Sequence, residues 1–308
     1  MILAMRRRHL LAAGLAGLGA RAARAQGAYP SRPITMVIPW PAGGSTDTLG
    51  RVLAQVMSAD LGQPIVVENR SGASGTVGHS HVARSRPDGY TIMLATNSTY
   101  AIAPHLIDLP YDNRGAFTGV SLVARYAQAL CVHPSVPANN VAEFLAYIRA
   151  QPGKVAFSTA GIGASSHLAT ELLMAKTNTQ MLHVPYRGGG PSAQALLAGE
   201  VACSFVDLIT ALPFRQAGQL KILGVSTLRR SEIAPEVPTL AESGVPDFES
   251  STDCALLLPA GTPAPIVERI SAALRRALTD AETRRKLISL GVEPIGSSAA
   301  EFDAYWTR

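Results

Sequence analysis

The sequence predicts an α/β protein built as two lobes, and three observations carry that prediction. Its 308 residues exceed what one ordinary core holds and suit two units of roughly 100 to 150 residues. Short runs of Val, Ile and Leu alternate with segments of helical period. Glycine-rich turns sit where several of those runs end and a helical segment begins. Apolar runs of this kind, without strict polar alternation, are the mark of parallel strands covered on both faces. With 47% hydrophobic and 16% charged residues, the chain is too apolar to be disordered.

The first 25 residues read as an export signal. Arg6, Arg7, Arg8 and His9 form a basic start, Leu10 to Ala20 a small apolar core, and Ala23-Arg24-Ala25 an A-x-A cleavage site before Gln26. Gly14, Gly17 and Gly19 disfavour a structural helix here. The adjacent arginines fit twin-arginine export, the overall plan fits general secretion, and both routes stay open. Removing this segment takes away five arginines and no acid, which leaves 22 basic and 22 acidic residues. The basic balance of the precursor therefore gives no reason to expect a nucleic-acid or anionic-membrane partner. No run of about 18 strongly apolar residues predicts a spanning helix. Cys131, Cys203 and Cys254 allow one disulfide at most, with the pairing open, and their spacing matches neither zinc nor thioredoxin chemistry.

Along the chain, Ile34 to Pro39 reads as the first strand, and Leu49, Val52, Leu53, Val56 and Met57 then recur at helical spacing up to the Gly62 stop. Ile65 to Glu68 and Thr91 to Thr96 follow as strands, the second after an Asp88-Gly89 turn. The stretch GVSLVARYAQALCV, around Val120 to Val132, carries no turn signal and reads as a strand passing between lobes. Asn140 and Glu143 form a capping box for a helix burying Val141, Phe144, Leu145 and Ile148, which ends before Pro152. Strands are expected at Val155 to Ser158, Val201 to Val206, Ile222 to Ser226 and Ala255 to Leu258. Thr262-Pro263 opens a helix with Ile266, Val267, Ile270, Leu274 and Leu278 inward. Ser298 and Glu301 cap a last helix whose end, close to Arg308, is expected to fray. The lobes are expected at 26–126, 127–252 and, returning to the first, 253–308.

Two strand-to-helix turns offer anion sites. The first is Trp40-Pro41-Ala42-Gly43-Gly44-Ser45-Thr46-Asp47, where free N–H groups and the positive helix end point into a crevice and the glycines admit a ligand to the backbone. The second, Thr159-Ala160-Gly161-Ile162-Gly163-Ala164-Ser165-Ser166-His167, repeats the device in the other lobe. Facing each other across a cleft, two such helix ends would hold a ligand with negative groups and no buried arginine. For His167 a ligand donor and a helix cap are both open. The third loop, Tyr186-Arg187-Gly188-Gly189-Gly190-Pro191, puts Tyr186 either in the cleft wall or in packing, and Asp207 carries the same two readings. Thr96, Asn97 and Ser98 end a strand with short polar groups suited to a crevice or a plain turn.

Catalytic and cofactor motifs are thin. There is no G-x-S-x-G elbow, P-loop, H-E-x-x-H or calcium loop, and Gly161 and Gly163 fail a dinucleotide fingerprint at Ser166. His79 and His81 would point to opposite faces of a strand and read as surface or loop histidines rather than metal ligands. No cofactor or metal is expected. A serine hydrolase acting through Ser45 or Ser165 stands as the rival of another class.

Seven ordered blocks resemble the Bug family, the extracytoplasmic solute receptors of tripartite tricarboxylate transporters. They are YPSRPITMVIPWPAGGSTD, GQPIVVENRSGASGTVG, RPDGYTIMLATNS, GKVAFSTAGIGASSHLA, HVPYRGGGPSAQALLAGEV, EVPTLAESGVPDFE and LLLPAGTP, and they cover nearly the whole chain after the leader. The resemblance implies a type II periplasmic-binding-protein fold, with two α/β lobes joined by two crossover strands around an interlobe cleft, and no catalysis. It implies a periplasmic monomer that takes a small mono- or dicarboxylate and delivers it to inner-membrane transporter subunits; a sensory receptor that delivers its ligand to a signalling protein stands as a further rival. It places ligand contacts on the loops from Pro41 to Asp47 and Thr159 to His167, with further contacts from Thr96, Asn97, Ser98, Tyr186, Gly188 and Asp207. The sequence departs from the family pattern at Ala42, where a proline is usual, at Cys254, near a usual Trp-aromatic pair, and in a short C-terminal tail.

Overall fold

Ile34, Met36 and Ile38 pack into one apolar cluster while Val37 packs into another on the opposite face, the period of two that fixes a strand covered on both sides. This is β1 (Ile34–Ile38) of a computed structural model that describes residues 29–307. The leader and its cleavage site lie outside the described residues. Helix α1 (Ser45–Leu61) buries Leu49, Leu53 and Met57 against β1 and stops at Gly62, whose left-handed backbone (φ 70°) returns its N–H to Ser58 O. Then come β2 (Ile65–Asn69), α2 (Thr76–Ala83), β3 (Thr91–Thr96) and β4 (Phe117–Val132).

The second half runs α3 (Val141–Arg149), β5 (Ala156–Thr159), α4 (Ser165–Thr177), β6 (Leu182–Pro185), α5 (Gly189–Leu197), β7 (Cys203–Asp207), α6 (Leu208–Gln216) and β8 (Lys221–Val225). The chain returns through β9 (Ser251–Pro259), α7 (Ala264–Thr279), α8 (Ala281–Ser289), β10 (Val292–Pro294) and α9 (Ala299–Thr307). Asn140 caps α3 as its side chain predicts, accepting from the Glu143 N–H at 2.9 Å.

The strands follow the order β2-β1-β3-β9-β4-β7-β5-β6, with β8 and β10 also paired to β4. Strand β4 changes partner half-way. Its first part pairs antiparallel with β9, ending at Ala127 opposite Ser251, and its last part pairs with β7 from Gln128 opposite Asp207. β4 and β9 are the two crossovers between α/β lobes. The apolar clusters divide the same way, with Leu53, Met57, Ile270 and Leu274 on one side of the change and Phe144, Phe157, Leu173 and Phe205 on the other.

Two expectations change. His79 and His81 lie on α2, a helix, and His79 is fully buried with its Nδ1 3.1 Å from Gly75 O, so it is a core residue and not a surface one. A Gly75 backbone at φ 94° opens that helix at a point no strand reading anticipates. Helix α9 is tied down rather than frayed: Phe302 is buried, Trp306 Nε1 donates to Tyr100 O at 2.7 Å, and the Tyr305 hydroxyl donates to Asp253. Tertiary contacts, more than its few turns, hold so short a helix. All three cysteines are buried free thiols. Burial pushes each thiol up, that of Cys203 to about 12. The folded protein is therefore expected to be silent towards a disulfide-exchange thiol reagent and to release three reactive thiols when unfolded; a count of one would reveal a bridge.

Candidate functional site

Four helices begin at one place. Their N-cap residues are Gly44 for α1, Ala164 for α4, Gly188 for α5 and Asp207 for α6, and none of the four is capped by a side-chain hydrogen bond. The first N–H groups of a helix have no intrahelical partner and carry the positive end of its dipole. Gly44, Ser45 and Thr46 from α1, Ala164, Ser165 and Ser166 from α4, Gly189 and Gly190 from α5, and Asp207 and Thr210 from α6 line one cavity between the lobes. Trp40, Pro41, Thr96, Ser98, Gln128, Ala160, Ser192, Phe205, Val206 and Thr252 complete its wall. Its empty space, open mouth included, is about 670 Å³. Among the described lining residues Asp207 is the single ionisable side chain, so no arginine or lysine balances an anion here.

The first turn is held from behind. Asp47 Oδ2 accepts from the Gly43 N–H and from Arg51 Nε, both at 2.9 Å, while its Oδ1 accepts from Asn69 Nδ2, also at 2.9 Å. Asn69 Nδ2 also reaches Trp40 O at 3.0 Å, and Trp40 Nε1 donates to Thr96 Oγ1 at 3.0 Å. Burial pushes the Asp47 carboxyl up, but Arg51, the Gly43 amide and Asn69 outweigh it and hold it below the usual range. Asp47 thus braces the turn and lies outside the cavity lining, as do Ala42 and Gly43, which are exposed.

The second turn is braced by its own polar groups. Ser166 Oγ accepts from the Ala160 N–H at 3.1 Å, and Thr159 Oγ1 accepts from the Gly161 N–H at 3.2 Å and meets His183 Nε2 at 2.7 Å. His167 Nδ1 accepts from the Gly163 N–H at 3.2 Å, and its ring stacks on His183 with centroids 4.3 Å apart. Burial lowers both imidazoles, and His183, with His167 beside it, is pushed down to about 4. His167 is thus fastened to its own loop by the Gly163 amide, with Glu171 Oε1 3.4 Å from its Nε2. Thr159, Gly161, Gly163 and His167 do not line the cavity.

Tyr186 is not among the residues lining the cavity, and its hydroxyl donates to Glu200 at 3.0 Å. Asn97 serves the crossover, donating to Ser251 O at 3.0 Å and accepting from the Asp253 N–H at 3.3 Å. Thr96 and Ser98 do face the cavity. Residues that sequence reasoning did not single out are Gln128, Ser192, Phe205, Val206, Thr210 and Thr252. Gln128 had a signal, the one amide side chain in the crossover strand β4; its Nε2 donates to Ser165 Oγ at 3.2 Å and its Oε1 accepts from Ser250.

The two turns face each other, and the lobes touch around the cavity. Ser45 Oγ donates to Asp207, the Ser165 N–H donates to Ser98 Oγ at 2.9 Å, and Ser74 Oγ donates to Ile162 O at 2.7 Å. Ser45 and Ser165 therefore hydrogen-bond to a carboxylate and to hydroxyl and amide groups rather than to an imidazole. Among the described residues no three His, Cys, Asp or Glu side chains gather as metal ligands, and no helix is long and apolar enough to cross a membrane.

A family model described as the tripartite tricarboxylate transporter family receptor matches residues 49–305. The chain belongs to this receptor family. Protein BugT of Bordetella pertussis is 35% identical over 269 residues, which span 87% of this chain and 82% of BugT. A solved R. palustris structure with adipate is 33% identical with a TM-score of 0.88, covering 91% of this chain and 94% of that one. MatC from Rhodopseudomonas palustris with bound malate is 31% identical with a TM-score of 0.84, covering 91% and 96%. The receptor's two lobes and paired crossovers are the type II periplasmic-binding-protein arrangement. At Ala42 the first turn keeps its bracing by Asp47, and Cys254 is absorbed into the first-lobe core.

Proposed function

We propose that the receptor captures a small mono- or dicarboxylate in the periplasm and delivers it, as a monomer without a cofactor, to the inner-membrane subunits of a tripartite tricarboxylate transporter. The observation that carries this reading is the convergence of four helix N-termini on one interlobe cavity with no cationic side chain among its described lining residues. Backbone amides of Ser45, Thr46, Ser166, Gly189 and Gly190 are the donors for the carboxylate, and Ser98, Ser165 and Thr252 add hydroxyls. Adipate and malate in the two related structures support the same ligand class. The lobes, 26–126 with 253–308 and 127–252, close by bending where β4 and β9 cross.

Titration calorimetry against a panel of mono- and dicarboxylates, a neutral sugar and divalent metals tests this. Binding of at least one carboxylate and of neither control is the expected result; binding of the sugar or a metal alone would overturn the ligand class. Asp47→Ala is expected to weaken the carboxylate by about 1 to 3 kcal/mol, because Gly43, Arg51 and Asn69 all lose their shared acceptor and the turn loosens. Unchanged affinity would remove Asp47 from the account.

A further inference from the structure

Asp207 ends β7 at the N-cap position of α6, where an aspartate ordinarily caps its own helix. Here its side chain makes no such bond. Oδ2 instead accepts from the Ser45 hydroxyl across the cleft, and Oδ1 accepts from Thr252 Oγ1 at 2.9 Å. A carboxylate offers about four acceptor positions, so these hydroxyls leave roughly half of its capacity unused. The residue is partly buried and is among those that line the cavity. Burial raises its carboxyl, and the two hydroxyls act in the opposite direction without cancelling that shift. No cation among the described lining residues balances it.

A ligand carboxylate seated on the helix ends thus shares a small space with a fixed acceptor. A second bare carboxylate near Asp207 would meet like charge, whereas a hydroxyl or ammonium there would meet an unfilled lone pair. We propose that Asp207 reads a hydrogen-bond donor on the ligand, so that the preferred ligands are hydroxy- or amino-substituted carboxylates rather than the plain acids. This rests on the carboxylate reading above and narrows it.

Matched series test it: succinate, malate and aspartate, with propionate, lactate and alanine as the shorter set, each titrated by calorimetry at pH 7 into the wild type, Asp207→Asn and Ser45→Ala. In the wild type a substituted acid is expected to bind at least about tenfold more tightly than its plain parent. If the donor is an ammonium, Asp207→Asn abolishes that advantage, because the opposing charge is gone; if it is a hydroxyl, the advantage shrinks only severalfold, since the amide oxygen still accepts. Ser45→Ala, which removes the bond across the cleft but keeps the carboxylate, retains the discrimination. The proposal is overturned if the plain parents bind as tightly as their derivatives, or if Asp207→Asn weakens every ligand by one factor, which is the behaviour of a latch between the lobes. The wild-type comparison decides the first point even if Asp207→Asn fails to fold. Binding of plain acids without preference sinks this inference alone, whereas binding by no member of either series or of the wider panel sinks the carboxylate reading with it.

Discussion

Replacing Gly188 with alanine is expected to weaken ligand binding about tenfold or more, equivalent to roughly 1.4 kcal/mol or above. Gly188 is the N-cap of α5 and sits at φ 121°, a backbone conformation that side-chain-bearing residues rarely adopt. A Cβ built there would lie 2.7 and 2.8 Å from Pro41 Cδ and Cγ, in the first turn of the opposite lobe. Two costs follow, and they can be separated. The backbone strain, about 1 to 3 kcal/mol, is present whether the lobes are apart or together and lowers thermal stability. The collision with Pro41 exists only when the lobes meet, so it falls on affinity. Gly218→Ala provides the comparison: φ is 70° there and nothing lies within 4 Å of its Cβ, so strain alone is introduced. Calorimetry and thermal melts on both variants check this, and equal affinity losses in the two would show that Gly188 is not at a closing surface.

Asp253→Ala is expected to destabilise the fold by about 3 to 5 kcal/mol, the usual consequence of removing one partner from a buried ion pair. Asp253 lies on crossover β9 and is fully buried. It receives both Arg125 Nε and Arg125 Nη2 at 2.8 Å, from the neighbouring crossover β4, along with the hydroxyls of Ser251 and Tyr305. The substitution strands the guanidinium and releases helix α9 together, since Tyr305 loses its acceptor. Burial alone would raise the Asp253 carboxyl, yet Arg125, Tyr305 and Ser251 hold it below the ordinary value. A depressed carboxyl contributes stability that is full above its unfolded pKa and disappears as pH falls through the lower folded value. The wild type is therefore expected to lose stability on acidification below about pH 4, and Asp253→Asn, which cannot titrate, should show a flatter profile from a lower starting point. Denaturant melts across pH check both; parallel profiles would mean that other carboxylates dominate.

The parts of this molecule that sequence made legible are those set by short-range pattern. The turn from Trp40 to Asp47 is recognisable because strand ends, paired glycines and Ser-Thr-Asp at a helix start are neighbours in the chain. The long stretch before Val132 is legible as a crossover because no cluster of turn residues interrupts it. What sequence could not supply is which side of each loop faces the gap. Asp47 and His167 look like ligand groups by position, yet Asp47 is turned back onto Gly43, Arg51 and Asn69, and His167 onto Gly163 and His183. The Tyr186 hydroxyl is taken by Glu200, a partner fourteen residues later. Thr252 and Gln128 reach the cavity only because β9 and β4 run side by side, a pairing of residues more than a hundred positions apart. Helix fraying at the C-terminus was misjudged for the same reason, since Tyr100 and Asp253 lie far away in sequence.

A crystal structure of the receptor with whichever carboxylate calorimetry finds tightest bears most directly on the whole account. The expected result is a carboxylate whose oxygens lie about 2.7 to 3.2 Å from backbone nitrogens at the starts of α1, α4 or α5, with no lysine or arginine in reach. A ligand held elsewhere, for instance in the surface groove by Arg32, Arg84 and Arg86, or one clamped in the cleft by a guanidinium brought in by rearrangement, would contradict it.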